Sequence, residues 1–129
     1  MSMNFRRKLP VPKEIKELYP LSDKIKSIKT ERDAMIADVF TGKSDKFLLI
    51  IGPCSADNED SVIDYTCRLS RLQEQVKDKI IIIPRIYTNK PRTTGEGYKG
   101  MIHQPDPTKG EDMLEGLIHV RRAKGTTQR

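Results

Sequence analysis

The residues best equipped for chemistry fall in two short stretches. The first is Gly52-Pro53-Cys54-Ser55, a tight turn that carries a thiol. The second opens at Arg85 and runs on to Lys90-Pro91-Arg92-Thr93-Thr94, with Gly95 and Gly97 following. A guanidinium holds a phosphate or carboxylate through two parallel hydrogen bonds, and a lysine ammonium serves the same anion as a point charge. Two hydroxyls and a pliable backbone add donors, so the second stretch reads as an anion-binding loop. The same composition also suits a solvated basic loop. Cys54 has three readings: a ligand for a soft or borderline divalent metal, a nucleophile, or an inert small residue. No second cysteine stands at ligand spacing, so further metal ligands have to come from elsewhere. Cys67 lies opposite the apolar stripe of its predicted helix and is assigned no chemistry. His103 falls in a loop and His119 on a helix surface, neither with a ligand-spaced partner. The glycine patterns of a Walker loop or a dinucleotide fold are absent from the sequence.

Parallel α/β folds collect ligands at the carboxyl ends of their strands. Phe47-Leu48-Leu49-Ile50-Ile51 is a continuous apolar run, the pattern of a strand buried on both faces, and it stops at the Cys54 turn. Asp57 is placed to cap a following helix, with Glu59 and Asp60 in its first turn. Val62, Tyr65, Leu69, Leu72 and Val76 then fall on one side at helical spacing. A second apolar run, Ile80-Ile81-Ile82-Ile83, delivers Arg85 to the same edge, with Pro84 near the strand end. Strand, helix and strand make a βαβ unit. Upstream, Lys13 to Tyr19 reads as a short helix ended by Pro20. A second helix is expected from near Thr30, with Glu31 and Asp33 in its first turn and Gly42 as its stop. Beyond Tyr87 no periodicity appears until a last helix from about Asp112 to Val120.

Composition narrows the class. The 129 residues hold 24 Lys plus Arg against 18 Asp plus Glu, a net charge of +6, with a mean hydropathy of −0.61. No apolar run approaches the ~20 residues of a transmembrane helix, and the N-terminus lacks the apolar stretch of a secretory signal. Two cysteines make no disulfide framework, which points to a cytoplasmic, reducing setting. Acidic residues interleave with the basic ones, aromatics are 5% and Trp is absent, so nucleic acid is not the expected partner.

Taken together, Ile51-Gly52-Pro53-Cys54-Ser55, Pro84-Arg85-Ile86-Tyr87-Thr88-Asn89-Lys90-Pro91-Arg92-Thr93-Thr94 and Tyr98-Lys99-Gly100 closely resemble class I 3-deoxy-D-arabino-heptulosonate 7-phosphate (DAHP) synthases. The match is to the type with a short helical N-terminal extension, often feedback-regulated by an aromatic amino acid. It covers about residues 10–122 and includes Met101-Ile102-His103-Gln104-Pro105-Asp106-Pro107. Pro84 departs from the family, where an apolar residue such as Met often precedes the arginine. The related 3-deoxy-D-manno-octulosonate 8-phosphate synthases resemble the second loop less.

The resemblance implies the N-terminal part of an α/β (β/α)8 barrel: a helical extension over 1–45, the first βαβ portion over 46–122 and a polar tail over 123–129. It implies an enzyme that condenses phosphoenolpyruvate with erythrose 4-phosphate and releases phosphate, at the entry to the shikimate pathway. Cys54 becomes a ligand for a divalent metal (Mn, Fe, Co or Zn). Arg85 and Lys90 become phosphoenolpyruvate contacts, Lys90 also lies near the reacting aldehyde, and Arg92 and Thr93 hold erythrose 4-phosphate. No membrane or nucleic-acid partner is implied, and the parent enzyme is a homo-oligomer. A barrel of this kind takes about 250 residues, so the chain is expected to be an N-terminal portion, inactive alone. Two other readings stay open: half of a split enzyme, and a non-catalytic module that binds a partner through its helical extension.

Overall fold

The computed structural model describes residues 7–126. Its elements are α1 (Pro12–Leu18), α2 (Asp23–Phe40), β1 (Phe47–Ile51), α3 (Glu59–Val76), β2 (Ile80–Pro84) and α4 (Met113–Thr126). The two strands form a parallel pair in which Phe47 faces Ile80 and Ile51 faces Pro84, so both end level with each other. This is an α/β fold with a small parallel sheet and four helices among the described residues.

Local chemistry explains most boundaries. Pro12 opens α1 at a position where its missing N–H costs nothing. α2 begins at Asp23, seven residues before the expected start, because the Ser22 hydroxyl accepts from the Ile25 amide and caps it. Its first turns are mostly polar and are held by ion pairs, Lys26 with Asp23 and Lys29 with Asp33, which hides them from a search for an apolar face. Gly42 follows the helix with φ +73°, as its stop requires. For α3 the cap is Asn58, not Asp57: the Asn58 Oδ1 accepts from the Ser61 amide at 2.9 Å. Asp112 caps α4 through the amides of Leu114 and Glu115. That helix continues to Thr126 with Ala123 buried, so residues 123–126, expected to open a polar tail, are helical; 127–129 lie outside the described residues.

Packing departs from the sequence pattern in two places. β1 was expected to be buried on both faces, yet Phe47 is 66% and Ile50 64% exposed. Among the described residues the strand pairs only with β2, and α3 packs chiefly on β2, so the all-apolar β1 keeps an open edge and face there. On α3 the buried positions are Val62, Thr66 and Gln73, whereas Leu72 is exposed. Thr66 returns its hydroxyl to the Val62 and Ile63 carbonyls. The Gln73 amide donates to the Ile80 carbonyl and accepts from the Ile82 amide at 2.7 Å, and Arg32 of α2 adds a donor to the same oxygen. Because the Arg85 amide donates to Ile51, alternation turns the backbone of residues 80, 82 and 84 away from β1. Gln73 thus satisfies the unpaired edge of β2. Pro84 sits on that edge too, where it deprives no β1 carbonyl of a donor.

Candidate active site

The site is built by bringing two backbone turns into contact. Gly52 lies so close to the end of β2 that a Cβ there would stand 1.8 Å from the Arg85 carbonyl oxygen. The Arg85 amide donates to the Ile51 carbonyl at 2.8 Å, and its guanidinium donates through Nη2 to the Pro53 carbonyl at 3.1 Å. The same guanidinium stands 5.2 Å from the centre of the Tyr87 ring. One residue past the thiol turn, the buried Ala56 donates its amide to the Tyr87 carbonyl. Ala56 also joins Val62 and Met101 in an apolar cluster beneath the turn, against which Ile86 and Val120 pack.

The basic loop folds back over this platform. Its two limbs are joined by two backbone hydrogen bonds, Lys90 amide to Lys99 carbonyl at 2.9 Å and Ile102 amide to Thr88 carbonyl at 3.0 Å. Gly100, at φ +96°, permits the approach: a Cβ there would meet the Thr88 oxygen at 2.5 Å. At the loop tip the Gly95 amide donates to the Arg92 carbonyl, and Thr93 is exposed on this turn. Arg92 donates through Nε to the Tyr98 carbonyl at 3.0 Å, and the Tyr98 hydroxyl donates to the Ala56 carbonyl at 3.3 Å. Burial, and then the negative charge of Asp57, push the Tyr98 phenol above its usual range. The Lys90 ammonium reaches Cys54, Nζ to Sγ 3.8 Å.

Cys54, Arg85, Lys90 and Arg92 therefore share the carboxyl edge of the sheet, with Thr93 farther out on the loop turn. The three cations donate to neutral acceptors or to the thiol, and among the described residues none of them is paired with a carboxylate. Lys99, by contrast, pairs with Glu111 at 2.6 Å, and that partner holds the Glu111 carboxyl below its ordinary range. A groove of about 600 Å³ between α2, α3 and the outer side of β2 includes none of these residues in its lining.

Cys54 and Cys67 are free and exposed. Among the described residues no group of three or more His, Cys, Asp or Glu side chains is arranged to hold a metal ion, so Cys54 offers a single donor there. A lone thiolate does not make a catalytic metal site. His119, read as a helix-surface residue, is half-buried and braces α4 against α3, its Nδ1 3.1 Å from Glu59 Oε2. Sequence reading named Gly52 and Tyr98 within motifs without giving them a positioning role, and it passed over Ala56. An aromatic flanked by glycines, in a stretch without periodicity, was the available signal.

Comparison with known proteins places this arrangement. Residues 19–119 match the model of the DAHP synthetase I family. The chain is 37% identical over 115 residues to the phospho-2-dehydro-3-deoxyheptonate aldolase of Corynebacterium glutamicum, covering 88% of this chain and 31% of that protein. It is 36% identical over 110 residues to the phenylalanine-inhibited aldolase of the same name from Saccharomyces cerevisiae, covering 84% and 29%. The solved phospho-2-dehydro-3-deoxyheptonate aldolase of Francisella tularensis superposes with a TM-score of 0.85 at 25% identity, over 98% of this chain and 37% of that one. The chain thus spans about a third of the length of the relatives it matches. Across residues 19–119, which take in both strands, the thiol turn and the basic loop, this chain belongs to the DAHP synthetase I family.

Proposed function

We propose that this chain supplies the anion-holding edge of a DAHP synthase, an enzyme that condenses phosphoenolpyruvate with erythrose 4-phosphate to DAHP and phosphate at the entry to aromatic amino acid biosynthesis. The observation that carries the reading is the convergence of Arg85, Lys90 and Arg92 on one strand edge without a carboxylate to neutralise them. Three uncompensated cations on a braced backbone suit phosphate esters, and both substrates are phosphate esters, phosphoenolpyruvate carrying a carboxylate as well.

Within the reading, Arg85 and Lys90 hold the phosphate and carboxylate of phosphoenolpyruvate. The Lys90 ammonium also stands where it can donate to the aldehyde oxygen of the second substrate. Arg92 and Thr93, on the loop, hold the phosphate of erythrose 4-phosphate. Cys54 is one ligand of the divalent metal the family uses, and its remaining donors are not among the described residues. Residues 1–45 serve as a helical extension and 46–122 as the first βαβ portion of a (β/α)8 barrel working in the cytoplasm. The exposed Phe47 and Ile50 of β1 favour a site completed by further structure over a free-standing interaction module.

Isothermal titration tests this. Phosphoenolpyruvate is expected to bind the 129-residue chain, and Arg85→Ala or Lys90→Ala to weaken it about tenfold or more. Arg92→Ala is expected to weaken erythrose 4-phosphate more than phosphoenolpyruvate. Equal affinities across wild type and these variants, or no binding of either substrate, would overturn the reading.

A further inference from the structure

Tyr98 touches both halves of the site without carrying a charge into it. Its hydroxyl donates to Ala56, two residues past Cys54, while its carbonyl accepts from Arg92 Nε. Ala56 is fully buried, with its amide already committed to Tyr87, so its carbonyl has little freedom to seek water. Lys99, the next residue, accepts the Lys90 amide, and Gly100 lies against Thr88 and Lys90 closely enough to exclude a side chain. A ring needed only for packing would not require a hydroxyl. Here the polar tip is set on a buried carbonyl, the arrangement an aromatic with a hydrogen-bonding end serves best.

From this geometry we infer that Tyr98 is a positioning residue: it clasps the strap of residues 98–100 onto the Cys54 turn and so fixes Lys90 and Arg92 relative to Arg85. The phenol is protonated across the neutral range as any tyrosine is, and burial pushes it higher still. The inference rests on the anion-holding reading for its purpose, and on the hydrogen-bond network alone for its mechanics. Removing the hydroxyl leaves the Ala56 carbonyl unpaired and frees the strap, while the sheet beneath is untouched.

The test compares Tyr98→Phe and Tyr98→Trp with wild type in the full 129-residue chain. Two quantities are read: hydrogen exchange of the Lys90 and Ile102 amides, with Leu49 and Ile81 as sheet controls, and phosphoenolpyruvate affinity by calorimetry. One neutral hydrogen bond corresponds to about a two- to twelvefold change. Tyr98→Phe is expected to speed exchange at Lys90 and Ile102 by such a factor, to weaken phosphoenolpyruvate comparably, and to leave Leu49 and Ile81 unchanged. Tyr98→Trp, which restores a ring-borne donor, is expected to recover part of both. Unchanged strap exchange in Tyr98→Phe overturns the inference. So does an equal rise at Leu49 and Ile81, which would make the residue merely structural, or a loosened strap with unchanged affinity. If wild type binds no phosphoenolpyruvate, the anion-holding reading falls by itself, and strap exchange with recovery by Trp still decides the clasp.

Discussion

Gly52→Ala tests whether backbone contact holds the two candidate loops together. The new Cβ would lie 1.8 Å from the Arg85 oxygen, 2.7 Å from its carbonyl carbon and 3.1 Å from its Cα, all backbone atoms with no rotamer to escape into. Reaching ordinary contact requires opening the gap by roughly 1.5 Å or more. The clash sits between two hydrogen bonds, Arg85 amide to Ile51 and Arg85 guanidinium to Pro53, so relieving it stretches one or both. Overpacking of this kind costs ~1–3 kcal/mol, and a weakened bond adds ~0.5–1.5 kcal/mol. For a chain of this size about 2–4 kcal/mol lowers the thermal midpoint by roughly 10 °C. Circular dichroism melts measure it, with Gly110→Ala as the control, since nothing lies within 4 Å of a Cβ there. Phosphoenolpyruvate affinity should fall together with the midpoint. A Gly52→Ala melt indistinguishable from that of the control would refute the account.

Gln73→Leu keeps the side-chain volume but leaves the Ile82 amide and Ile80 carbonyl unpaired at the buried edge of β2; urea unfolding should show a loss of about 2–4 kcal/mol, and a loss under ~0.5 kcal/mol would mean that water replaces the amide. Asp106, bonded by the Thr108 hydroxyl and amide and by Lys109, is held at about 2 against an ordinary 3.8. A depressed carboxyl stabilises the fold above its unfolded value and loses that contribution as pH falls from near 4 towards 2. Carbon-13 titration of the Asp106 carboxyl should show this low midpoint, and Thr108→Ala should move it upward; an unmoved midpoint would sink the assignment of cause. Phosphate release from both substrates with added Mn²⁺ should be absent for the chain alone, because the described residues bring no three metal donors together; metal-dependent turnover would contradict this.

That Cys54, Arg85, Lys90 and Arg92 gather at one edge was legible in the sequence, because it depends on residue type and on strand ends. An unbroken Phe47–Ile51 and an unbroken Ile80–Ile83, each followed by polar residues, define two parallel strands and the edge they feed. What escaped was whatever depends on contacts made at a distance. The early start of α2 is carried by Ser22 and by ion pairs rather than by an apolar stripe. Gln73 is buried because the outer edge of β2 lies beside it and takes both ends of its amide. The exposure of β1 could not be read from its composition, since apolarity states what a strand prefers and not what neighbours it receives.

The sequence alone therefore determined the chemistry available: a thiol and three cations spaced to reach one sheet edge, with a hydroxyl farther out on the loop. Only the tertiary structure decided how they are held. The Gly52–Arg85 contact and the Tyr98 clasp join atoms more than thirty residues apart, and the first depends on the level register of β1 and β2; the Gly100 approach closes the loop on itself. Residue type is local, but the distance between a lysine on one loop and a cysteine on another is a property of the packing between them.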